Sequence, residues 1–104
     1  MELSVIERLL TMQLLPTEGD LTTIKLVRVA REALSFTEEE HKQLDFRQEG
    51  TGETAQTLWN PVEIVKDIKL GEMMTEEIKK ALKKKDEDKT LKDEDVSLYE
   101  KFVG

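Results

Sequence analysis

The chain opens on apolar positions at helical spacing: Ile6, Leu9, Leu10 and Leu14 recur at intervals of three and four. Ser4 and Glu7 stand at the spacing of a capping box, in which each side chain satisfies a free backbone N–H of the other residue. Pro16 drives Leu15 away from helical angles. The pattern predicts a first helix over 4–15, with a turn at Pro16-Thr17-Glu18-Gly19. Asp20 supplies a cap for a second helix over 21–34. Leu21, Ile24, Val27, Ala30 and Leu34 form its main stripe, and Leu26, Val29 and Ala33 widen it. So wide a stripe predicts contact on two sides and puts this helix at the centre of the core. Thr37 and Glu40 repeat the capping-box spacing and open a short helix through about Gln43.

The period then changes from 3.6 to 2. Leu44 and Phe46 alternate with Asp45 and Arg47; Ala55, Thr57 and Trp59 alternate with Gln56 and Leu58. Glu49-Gly50-Thr51-Gly52-Glu53 lies between them, and its glycines tolerate positive φ. A β-hairpin pairing 44–49 with 54–59 follows. Residues 60–70 carry two signals. Asn60-Pro61-Val62-Glu63 has the makeup of a helix start, while Ile64, Ile68 and Leu70 share one face of an extended strand. A third strand at 64–70 is the reading adopted. Gly71 ends it. Thr75 is the expected cap of a helix over 75–86, whose stripe is Met74, Ile78, Ala81 and Leu82. Its glutamates sit at the start and its lysines at the end, which complements the helix dipole. Leu98 and Phe102, widened by Val96, Tyr99 and Val103, mark a last helix over 92–102.

The fold class expected is therefore α+β: four to five helices packed with a small antiparallel hairpin or three-stranded meander. The 104 residues fit one domain, in which a helical region spans 1–43, a hairpin and strand region 44–70, and a C-terminal helical region 71–104. Charged residues make up 38% of the chain, yet an equal 38% is hydrophobic, enough for one modest core. With no cysteine, disulfides and thiolate chemistry are excluded. No segment approaches the ~18 apolar residues of a membrane span, and the start lacks the features of a signal peptide. A cytoplasmic location or a virion, with no membrane, is expected.

Candidate chemistry is sparse. Glu38-Glu39-Glu40-His41 contains the Glu-x-x-His spacing of di-iron carboxylate sites, but such a site needs two copies and the chain has one histidine. A helix start favoured by its dipole is the simpler reading. Gly50 and Gly52 lack the Gly-Lys-Ser/Thr ending of a phosphate loop. No catalytic, cofactor-binding or metal residue is assigned, and no cofactor is expected. Lys79, Lys80, Lys83, Lys84 and Lys85 form the one basic block, and the first four, with Trp59, make up the candidate interaction surface. The solvated face of an amphipathic helix explains the lysines as well, and core packing explains Trp59.

Two helices, a short helix and a hairpin also have the order of a winged helix-turn-helix, with Arg28 and Arg31 near a recognition surface. The net charge of −7 and the acidic run where a recognition helix should attract phosphate argue against it. An acidic mimic of DNA would need Glu38, Glu39, Glu40, Asp45, Glu49 and Glu53 in one row.

The phrases LPTEGDLTTIKLVRVAREALSFTEEE and EEIKKALKKKDEDKTLKDEDVSLYEKF cover about half the chain. Together they resemble small uncharacterised proteins of tailed bacteriophages and prophages. The resemblance implies a phage setting and an accessory or assembly role, and carries no site residue. The function expected is a non-enzymatic module that binds a protein partner or assembles with itself. A nucleic-acid-linked regulator is the alternative.

Overall fold

The computed structural model describes residues 1–104, the side chain of Thr54 excepted. The order is β1 (Glu2–Ser4), α1 (Val5–Leu14), α2 (Leu21–Leu34), α3 (Glu38–Leu44), β2 (Arg47–Glu49), β3 (Gln56–Leu58), β4 (Val65–Asp67), α4 (Glu72–Glu87) and α5 (Val96–Phe102). Short 3-10 turns occupy Gly52–Thr54 and Asp93–Asp95. This is an α+β fold.

The caps form as their spacing implies. Ser4 accepts from the Glu7 N–H while Glu7 accepts from the Ser4 N–H, and Thr37 and Glu40 do the same for α3. The Asp20 carboxylate accepts from the Thr23 N–H at 2.8 Å, which holds its pKa below the ordinary value. At α4 the expectation fails. The helix starts at Glu72, and the residue before it is Gly71, whose φ of 79° suits glycine. Thr75 sits inside the helix and donates its hydroxyl to the Gly71 carbonyl. The last helix starts at Val96, after the 3-10 turn, instead of at 92.

The third strand lies within the expected 64–70, but it is shorter and has a different partner. Val65–Asp67 pairs antiparallel with Glu2–Ser4, a strand the sequence pattern did not indicate. The Met1 ammonium meets Asp67 at 2.7 Å and holds that carboxyl below its ordinary pKa. The hairpin stands apart as a second two-stranded sheet, so there is no three-stranded meander. The hairpin pairs Arg47 with Leu58, Gln48 with Thr57 and Glu49 with Gln56. Leu44 ends α3 and Phe46 precedes β2, so neither lies in a strand. The helix-start signal at Asn60-Pro61 does not open a helix.

The core gathers Leu3, Leu10, Leu15, Val27, Ala30, Leu34, Ile68, Met74, Ile78, Leu82, Leu98 and Phe102. It lies between helices α1, α2, α4 and α5, with the β1–β4 ladder along one side. Helix α2 packs on both α1 and α4, and Ala33 joins the core, but Val29 is 65% exposed and Leu26 36% exposed, so that part of the widened stripe stays uncovered.

Candidate functional site

Helix α1 decides the site by the way it is rotated. Its deepest residues are Val5, Glu7, Arg8, Leu10 and Thr11. The expected core stripe is only partly honoured, since Ile6, Leu9 and Leu14 are half-buried. A helix turns charged groups inward only where partners meet them, and among the described residues no buried side-chain nitrogen or oxygen lacks one. The Arg8 guanidinium is fully buried. Its Nε donates to the Leu34 carbonyl at 3.2 Å, and Nη2 to that of Ser35, which satisfies the end of α2. Both terminal nitrogens grip Glu40, at 2.7 and 3.3 Å. The guanidinium carbon lies 3.9 Å from the centre of the Phe36 ring. The bond from Arg8 is the main reason that the Glu40 carboxyl is lowered to about 2.

On the neighbouring side, burial alone would raise the Glu7 carboxyl. Lys101 at 2.7 Å, the Ser4 N–H and the Ser97 hydroxyl outweigh it and hold the group ionised below its usual range. Asp95, also buried, accepts from Lys85 and from the Lys92 N–H. These carboxylates tie α1 to α5 and close the turn before α5.

The rotation leaves an apolar side of α1 facing an open cleft of about 530 Å³. Ile6, Leu9, Leu10 and Gln13 form one wall, spaced along one helical face; Ala55, Gln56, Thr57 and Trp59 form the other. Lys92 and Glu94 stand at its rim. Trp59 and Ile6 continue into a smaller pocket with Val5 and Val62. β3 pairs only with β2, so its other edge is without a strand partner among the described residues.

The cleft's outer wall is held by an aromatic cluster. Phe46 meets Phe36 at 5.1 Å, His41 at 5.6 Å and Trp59 at 6.0 Å between ring centres. Edge-to-face and tilted contacts of this kind are favourable. Asn60 fixes the base of the hairpin: its N–H donates to the Leu44 carbonyl, its side-chain amide to that of Gln43, and its side-chain oxygen accepts from Arg47.

The candidate residues read from sequence fall in two places. Trp59, expected in the core, is half-buried and lines the cleft. Lys79, Lys80, Lys83 and Lys84 ride on α4, and none lines the cleft. Lys79 and Lys80 pair with Glu76 and Glu77 one turn earlier. His41 is exposed and packs edge-on against Phe36. Among the described residues, no group of three or more acidic or histidine side chains could hold a metal ion. Glu40 is drawn in against Arg8, which removes one member from the acidic row a DNA mimic needs, while Asp45 stays exposed beside Arg47. Arg28 and Arg31 line a separate shallow groove of about 400 Å³ beside Pro16, Ile24 and Val27. Leu9 and Gln13 were missed as site residues because helical spacing tells which positions share a face, not which face is covered.

No family model matches the chain, and no curated protein or solved structure matches it. Among the described residues, no helix is long and apolar enough to cross a membrane.

Proposed function

We propose that the chain is a non-enzymatic interaction module that takes an extended segment of a partner protein into the cleft between α1 and β3. The observation that carries this reading is the rotation of α1: Arg8 and Thr11 are wholly buried, while Ile6 and Leu9 stay half-exposed beside Trp59. Apolar side chains left in a concave place next to an open strand edge suit a peptide. Main-chain hydrogen bonds to the edge give affinity, and the apolar wall selects alternate side chains. The resemblance to phage proteins adds an accessory or assembly setting, in a host cytoplasm or a virion.

Trp59 is the sole tryptophan and lines the cleft, so its emission reports on that wall. Peptides selected from a combinatorial library of extended segments should shift that emission. They should also perturb the backbone amides of 55–59 and of 6–13, and Leu9→Asp should abolish both effects. Selected peptides that perturb only other surfaces, or a library that yields none, would overturn the reading.

The order of α1, α2, α3 and the hairpin keeps a nucleic-acid reader in view. Titration of labelled duplex DNA is expected to show weak or no binding at physiological salt, since α3 opens on Glu38 and Glu39 and the chain carries −7. Tight binding with a steep salt slope would promote the winged-helix alternative.

A further inference from the structure

Helix α2 carries a second stripe whose apolar centre, Leu26 and Val29, its own chain leaves open. Thr22, Leu26, Val29 and Ala33 follow one another at intervals of four, three and four, the spacing of a packing seam. Leu26 and Val29 stand 36% and 65% exposed, Thr22 beyond them is exposed, and Ala33 at the other end is half-buried against the core of its own chain. The helix is 14 residues long, so the seam runs nearly its full length. Alongside it, one position outward, stand Lys25 and Glu32. They are seven residues apart and so share a side of the helix. Both are exposed, and among the described residues neither has an ion-pair partner within the chain.

We infer that α2 is a self-association surface, and that two copies of the chain pair through it antiparallel about a two-fold axis. Placing Leu26 of one copy against Val29 of the other also places Thr22 against Ala33. The same register brings Lys25 alongside Glu32, and by symmetry Glu32 alongside Lys25. A two-fold interface has to be self-complementary in this way. In a parallel pair Lys25 would face Ala30 and gain no charged partner. Antiparallel packing also opposes the two helix dipoles favourably. The seam is short beside the roughly 800 Å² per partner of a standard interface, so a weak dimer is expected, in the micromolar range or above.

The charges supply the test. Sedimentation equilibrium of the full chain, from about 10 µM to about 1 mM, should show a monomer–dimer equilibrium. Val29→Asp should abolish it with the thermal midpoint unchanged, because Val29 lies outside the core. Lys25→Glu and Glu32→Lys should each raise the dissociation constant about five- to tenfold, and the double exchange should return it to within about twofold of the original. A mere effect of net charge predicts otherwise: Lys25→Glu makes this acidic chain more acidic and would weaken association, while Glu32→Lys makes it less acidic and would strengthen it. A chain that stays monomeric to about 1 mM overturns the inference. So does a dimer indifferent to Val29→Asp, a double exchange no better than either single one, or a dimer lost through Trp59→Ala instead.

Discussion

Leu34, Ile78, Leu82 and Leu98 are fully buried in the helical body, whereas all three residues of β2 are exposed and β3 half-buries only Leu58. The helical body rests on one apolar cluster and on charged groups drawn inside it, each matched by a partner. The hairpin rests on ring edges, one asparagine and three cross-strand pairs. A hairpin of that length is marginal in water by itself. The two walls of the cleft therefore differ in stiffness. The α1 wall is fixed by Arg8 and Glu7, and the β3 wall depends on a half-buried aromatic cluster. A ligand in the cleft would stabilise mainly the hairpin.

The largest expected difference between the two regions comes from truncating the body. Leu82→Ala removes a fully buried side chain from the middle of α4 and should cost about 2–5 kcal/mol. In a domain of this size that lowers the thermal midpoint by roughly 10 °C or more. A drop of only a few degrees would mean that α4 is not packed as described.

Next comes the buried arginine. Arg8→Met keeps much of the stem but takes the arginine donor from the Leu34 and Ser35 carbonyls and leaves Glu40 with the Thr37 N–H, at a cost of roughly 2–4 kcal/mol. It should also change the acid limb of stability. Glu40 has its pKa lowered to about 2 from 4.5 in the folded chain. Its contribution is therefore complete above about pH 4.5 and is lost as pH falls towards 2. Denaturant midpoints between pH 5 and 2.5 should fall less steeply in Arg8→Met than in the parent chain. Parallel curves would show that the Arg8–Glu40 pair is not the titrating element.

Smaller still is the effect expected in the hairpin. Phe46→Ala removes the ring that touches Phe36, His41 and Trp59, and should cost about 1 kcal/mol in global stability. Its local mark should be larger: Trp59 emission shifts to the red while the far-ultraviolet helix signal is kept. An equal loss of helix would mean that the hairpin and the body unfold as one.

The same division runs through what the sequence alone revealed. Caps were legible because they are local: Ser4, Asp20 and Thr37 each reach a backbone N–H three residues on. The hairpin was legible because the period changes there. The partner of β4 was not, since three residues at the N-terminus, one of them already a helix cap, carry no readable alternation. Thr75 misled because a cap residue inside a helix can bond back to a carbonyl four residues earlier. The cleft stayed hidden for a related reason. The apolar stripe of α1 was visible, but the inward turn of Arg8 depends on carbonyls at 34 and 35 and a carboxylate at 40, which only the folded chain brings together.

Native-state amide hydrogen exchange tests the division between body and hairpin most directly. Amides of 47–49 and 56–58 should exchange through a local opening, on the order of 2–3 kcal/mol below the free energy that protects the amides of Leu34 and Leu82, and with little dependence on denaturant. The β1–β4 ladder at 2–4 and 65–67, tied to the core through Leu3 and Ile68, should be protected more nearly as the helices are. Equal protection of the hairpin and the helical body, with the same denaturant dependence, would contradict the account.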